Sequence, residues 1–94
     1  MGERNPAVTF ESVLGVESVL GEIRDERIRQ IEDLGFDEDH DERVGVHGLA
    51  WLAAMRTVAL SSESMVAADT TAAREKLVEA AAIAVAGIQY IDRQ

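Results

Sequence analysis

The sequence predicts an all-α fold, a small antiparallel bundle of three main helices, on three observations. From Thr71 to Arg93, the residues Leu77, Ala81, Ala84, Ile88 and Ile91 recur at alternating steps of four and three, which puts them on one face of a helix. A second stripe, Leu20, Ile23, Arg27, Ile31 and Leu34 with Ile28 beside it, marks a helix from about Ser18 to Leu34. A third, Leu49, Leu52, Met55, Val58 and Ala59, marks one from about His47 to Leu60. At 94 residues the chain makes a single domain, residues 1–94, with a modest core that assembly into a homo-oligomer would complete.

In chain order, residues 1–9 open polar, carry Pro6, and are expected to be loosely ordered. Glu-Ser-Val-Leu-Gly then appears at 11–15 and again at 17–21, a local duplication whose six-residue step matches neither helix nor strand. Gly15 and Gly21 each weaken a helix interior, so the first copy is compatible with a separate short helix over Val8 to Gly15. Gly35 stands where the second copy's helix needs a left-handed cap. Phe36 to Glu42 reads as an acidic loop, and Ser61 to Ala68 as a linker of small residues. In the last helix the run Ala80 to Ala86 has no polar side chain and admits a close neighbour. Asp69, Thr70 and Thr71 offer oxygens to its first turn, and Arg93 suits its C-terminal dipole.

Nine basic against eighteen acidic residues give a net charge of −9, which disfavours binding to DNA, RNA or an anionic membrane surface. The absence of cysteine excludes disulfides and thiolate metal sites, and no apolar run is long enough to span a bilayer. A soluble, cytoplasmic protein is expected.

Asp37, Asp39 and Asp41 alternate as at the start of a calcium loop, but Glu42 and Gly48 occupy the places of its glycine and its bidentate glutamate. His40, His47 and a carboxylate form an alternative set for a transition metal, beside the plainer reading of histidines in a solvated loop. Trp51, the only tryptophan, either fills a core or subunit interface or stacks on a ligand base. Arg24, Arg27 and Arg29 with Gln30 make a cationic cluster in an acidic chain, and guanidinium forks match phosphate well. Arg27 falls on the inward stripe. Its charge needs either an acid, such as Glu75 or Glu79, or a bound phosphate.

The string Glu26-Arg27-Ile28-Arg29-Gln30, the pair Gly35-Phe36 and the pair His40-Asp41 resemble the N-terminal half of a family of small helical proteins common in bacteriophages and prophages. Leu77-Val78 through Ala86, Ile88 and Ile91-Asp92-Arg93 resemble its C-terminal half, so the likeness covers about residues 22–93. Some members of that family are similar in turn to MazG-like all-α nucleoside-triphosphate pyrophosphohydrolases, whose paired carboxylates hold magnesium against a nucleotide. The pairs that the resemblance nominates are Glu22 with Glu26 (and Asp25), and Glu75 with Glu79, together with Asp92. Where such relatives carry E-E-x-x-E, the chain has Gly48 to Leu60, without an acid.

The resemblance therefore implies a non-catalytic nucleotide-binding protein on a degenerate bundle, for example a phage protein that sequesters a nucleotide signal of host defence in the host cytoplasm. Its ligand residues would be Arg24, Arg27, Gln30, Phe36, His40, His47 and Trp51, with no metal cofactor. The alternatives are a magnesium-dependent pyrophosphohydrolase using Glu22, Glu26, Glu75 and Glu79, and a structural oligomeric adaptor.

Overall fold

The computed structural model describes residues 9–61 and 70–94, and those residues are helical almost throughout. Helix α1 spans Phe10–Leu34, α2 spans Glu38–Thr57 and runs on into a 3-10 turn at Val58–Ser61, and α3 spans Thr70–Asp92. Val8, residues 62–68 and the nominated cap Asp69 lie outside the described residues.

The two copies of the repeat belong to one helix. Thr9 caps α1 with a reciprocal box: its hydroxyl accepts the Ser12 N–H at 3.1 Å, while the Ser12 hydroxyl accepts the Thr9 N–H at 2.9 Å. The helix then continues through Gly15 and Gly21, so Phe10 to Gly15 is the start of α1 rather than a separate element. It stops at Gly35, whose φ of 72° suits glycine, and the Phe36 N–H bonds back to the Gln30 carbonyl at 3.0 Å.

The stretch expected as an acidic loop is largely helical. Asp37 caps α2 by accepting the His40 N–H at 2.9 Å, and Glu38, Asp39 and Asp41 then sit in the first turn, where the helix dipole favours negative charge. Gly45 interrupts α2 with φ 74° and ψ 173°, a region of backbone space open essentially to glycine alone. The acidic half, Glu38 to Val44, is thereby re-aimed relative to the apolar half that begins at about His47. Across the bend the Val44 side chain covers Gly48 so closely that a Cβ there would collide with it.

Helices α2 and α3 are antiparallel. Leu49 lies against Gly87, and Arg56, two turns further along α2, faces Glu79, two turns back along α3. Between them sits a core of Leu49, Ile83 and Ala86, with Phe36, Val44, Leu52, Ala53 and Tyr90 packed at its edge and Ala82 also buried. Helix α1 joins this pair through its C-terminal half, by Arg27 to Gln89 and Gln30 to the Glu79 carbonyl. From Phe10 to Leu20 every α1 residue except Val13 is exposed.

Several apolar residues expected inside are outside in the single chain. On α3 the stripe of Leu77, Ala84, Ile88 and Ile91 faces away from the core, with Leu77 55%, Ile88 60% and Ile91 54% exposed. The buried face is the opposite one, with Ala82, Ile83 and Ala86. Leu20, Ile28, Ile31 and Leu34 on α1, and Met55 and Val58 beyond the α2 core contact, are likewise exposed. The physical reason lies in α3 itself, which is apolar on two opposite faces, so that periodicity alone does not choose the face its own chain covers.

Candidate functional site

Two polar constellations join α1 to the rest of the molecule, and they differ in kind. The first is a buried lock around Arg27. Its Nη2 donates to Asp41 Oδ2 at 2.9 Å, its Nη1 to the Phe36 carbonyl at 2.7 Å, and its Nε to Gln89 Oε1 at 3.2 Å. Asp41 is 0% exposed, and its other oxygen lies 3.0 Å from His40 Nδ1. The His40 ring stacks on Phe36 with centroids 4.4 Å apart and planes within 6°. Gln30, also buried, donates through Nε2 to Glu26 Oε2 at 3.0 Å and to the Glu79 carbonyl at 3.1 Å. Local folding explains the assembly: the Gly35 turn returns the chain beside α1, and the Asp37 cap starts α2 one turn before Asp41.

The compensating acid for Arg27 is thus Asp41, rather than Glu75 or Glu79. Of the nominated ligand residues, Arg27, Gln30, Phe36 and His40 converge in this lock. Arg24 is exposed and pairs with its neighbour Asp25 at 3.2 Å. His47 is exposed beyond the Gly45 bend, and Trp51 is 65% exposed on the outer side of α2, so neither joins Arg27. Among the described residues no group of three or more histidine, aspartate or glutamate side chains is placed to hold a metal ion, the set built on His40 and His47 included.

The second constellation lines an open cleft of about 550 Å³ between α1 and α3. Glu22, Asp25, Glu26 and Arg29 come from α1, and Arg74, Glu75, Val78 and Glu79 from α3. Two arginine forks organise it. Arg74 grips Glu22 with both terminal nitrogens, one of them at 2.8 Å, and Arg29 grips Glu26 through Nε at 2.7 Å and Nη2 at 2.8 Å. Glu79 adds Lys76 at 3.4 Å and Arg56 at 4.0 Å. The four glutamates that the resemblance nominated for a cation therefore share one cleft, whereas Asp92 is exposed at the far end of α3.

Arg74 is the residue that the sequence reading missed, although it stands next to Glu75; Arg29, part of the cationic cluster with Arg27, points to a different side of α1. The bond from Arg74 holds the Glu22 carboxyl below its usual range, and the bond from Arg29, helped by Gln30, does the same for Glu26; partial burial opposes both shifts. Both arginines are correspondingly raised.

A glutamate whose folded pKa is depressed stabilises the fold above its unfolded value and loses that contribution as pH falls through the folded value. Stability is therefore expected to decline as pH is lowered from about 4.5 downward. Side-chain NMR titration would check this: Glu22 and Glu26 should titrate below the usual glutamate range, and titration within that range would remove the assignment.

Compared with protein-family models, curated proteins and solved structures, the chain matches none.

Proposed function

We propose that the chain is a non-catalytic nucleotide-binding protein that works as a homo-oligomer and takes its ligand in the α1–α3 cleft, with Arg29 and Arg74 as the phosphate partners. The observation that carries this reading is the cleft itself: two guanidinium forks and five carboxylates, supplied by helices some fifty residues apart in sequence, around a space of the size common for small-molecule sites. Support for the ligand class comes from the resemblance to small phage and prophage helical proteins and, beyond them, to MazG-like enzymes.

Exchange of partners is physically cheap here and expensive at Arg27. The Arg74–Glu22 pair is substantially open to water, where ion pairs contribute little, and Arg29 is half-exposed although its partner Glu26 is only 13% exposed, so a phosphate can reach either fork and replaces the carboxylate most easily at Arg74. The Arg27 guanidinium is 7% exposed and already bonded through all three nitrogens, so a phosphate there would have to dismantle the join between α1 and α2. A tightly held magnesium ion does not fit the residues as they stand, because guanidiniums occupy both Glu22 and Glu26 and, among the described residues, no three acids are close enough together to hold a metal ion. That disfit, with the acid-free second half of α2, favours binding over hydrolysis.

Calorimetric titration with nucleoside mono- and triphosphates and cyclic dinucleotides, in magnesium and in EDTA, tests the reading. The expected result is a Kd below about 100 μM for at least one nucleotide, equivalent to roughly −5.5 kcal/mol, weakened by Arg29→Ala and Arg74→Ala without loss of helix content. No binding in either condition would remove it. Metal-dependent release of pyrophosphate, abolished by Glu79→Gln, would replace it with the hydrolase reading.

A structural oligomeric adaptor is the second reading, favoured by the mutual saturation of charges in the cleft and by the large apolar side chains left exposed on all three helices. Mass spectrometry of small molecules released from the purified, heat-denatured protein separates the two, since an adaptor releases no nucleotide.

A further inference from the structure

Helix α3 has two apolar faces and only one is covered. The core face of Ala82, Ile83 and Ala86 meets the rest of the chain, while Leu77, Ala84, Ile88 and Ile91 stand exposed on the other side. From Leu77 to Ile91 the exposed face, with Ala80 and Ala81 included, carries no charged side chain, in a protein of net charge −9. Two copies that repel each other over most of their surface can approach closely there without burying like charges. The positions 77, 81, 84, 88 and 91 also follow the three-and-four spacing that lets two helices interlock side by side.

We propose that this face is the subunit contact, and that α3 pairs antiparallel with α3 of a second copy about a two-fold axis level with Ala82 and Ile83. The inference rests on the oligomer part of the reading above; Arg74, which grips Glu22 in the cleft, also lies at the end of the seam, so the contact is tested at Leu77 and Ile88, which the cleft does not use. In this register Leu77 packs against Ile88 of the partner subunit, and Ala81 against Ala84 of the partner subunit. Large residues thus close the two ends of the seam, while the small centre, Ala81 and Ala84 with Ala80 beside them, lets the backbones approach.

Charge sets the direction. Antiparallel pairing brings Arg74 beside Asp92 of the partner subunit at both ends, whereas parallel pairing would place Arg74 beside the partner's Arg74 and Asp92 beside the partner's Asp92. The contact is self-complementary, as closed two-fold association requires. It also buries the residues that the single chain leaves in water, so that both apolar faces of α3 are covered.

Because the protein has no cysteine, introduced thiols report the contact directly. Leu77→Cys and Ile88→Cys are made separately, mixed, and oxidised at micromolar concentration. The expected result is one disulfide-linked species carrying one copy of each variant, with neither variant alone linking efficiently. In the antiparallel register, residue 77 and its symmetry mate are offset by eleven residues, about 16 Å along the axis, far beyond disulfide reach.

Efficient self-linking of Leu77→Cys alone would overturn the antiparallel arrangement. The absence of any cross-link would overturn the contact, whether sedimentation then shows a monomer or a dimer formed elsewhere. Ile88→Glu provides the second readout: at a residue exposed in the single chain it is expected to convert the dimer to a folded monomer by sedimentation and circular dichroism, and an unchanged dimer would count against the face. Nucleotide titration of that monomer distinguishes loss of the dimer from failure of the cleft assignment.

Discussion

Replacing Arg27 by alanine is expected to lower the unfolding free energy by about 3–5 kcal/mol, the range found when one member of a buried ion pair is removed. The loss comes less from the missing attraction than from what stays behind. Asp41, 0% exposed, would keep a carboxylate in the interior with only the His40 ring against it, and the Phe36 carbonyl and Gln89 would each lose a donor. Arg27→Lys is expected to recover only part of this, because one ammonium cannot serve three acceptors at the spacing of a planar fork. Urea denaturation of the wild type, Arg27→Ala, Asp41→Ala and the double variant would measure the coupling. The double variant should be markedly more stable than the two single losses added together. Additive losses, or an Arg27→Ala loss under about 1 kcal/mol, would show that the lock contributes little.

Gly45→Ala is expected to cost of order 1–3 kcal/mol, although no atom stands within 4 Å of where its Cβ would go. The cost is conformational: φ 74° with ψ 173° is hostile to any side chain, and relaxing it would straighten α2. A straight α2 cannot keep Asp41 on Arg27 and Leu49 on Ile83 together, so the polar lock and the small apolar core would compete for the same helix. The readout is a lower denaturation midpoint together with loss of the protected Arg27 guanidinium signals in NMR. An unchanged midpoint would mean that the bend is not required.

The three main helices were legible in the sequence, but not the N-terminal parts of α1 and α2, and their facing was legible only in part. Periodicity located α3 but assigned Leu77, Ala84, Ile88 and Ile91 to the core, because a helix apolar on two sides offers two equally good stripes. Arg27 on an otherwise apolar stripe pointed to a buried charge that needs either an acid or a phosphate, and the structure supplies an acid, Asp41. An acidic loop over Phe36 to Glu42 would leave Asp41 in water, so the sequence offers Glu75 or Glu79 on α3 as the partner instead. The signal for the other outcome was present: Asp37 before Glu38, Asp39 and Asp41 is a cap followed by an acidic first turn. Gly45 carried no such signal, since a glycine in a sequence does not announce which sign of φ it will take.

The polar residues of E-R-x-R-Q, G-F and H-D look like ligand-binding chemistry when read along the chain, yet in space most of them bind one another. The cleft that collects the charged residues of α1 and α3 was not readable from spacing within either helix alone. It depends on how α1 is set against α3, which the Arg27 lock helps to fix.

The exposed first half of α1 has a thermodynamic consequence of its own. Eleven residues from Phe10 to Leu20 make an arm of about 16 Å, shorter than an isolated helix needs to persist in water. Apart from the Thr9 cap, almost nothing among the described residues holds it. Opening of that segment therefore requires far less free energy than opening at Gln30, and α1 is a gradient from a frayed end to a clamped one. A single helix by geometry is two by stability, and its boundary lies close to Gly21, where the α1–α3 cleft begins.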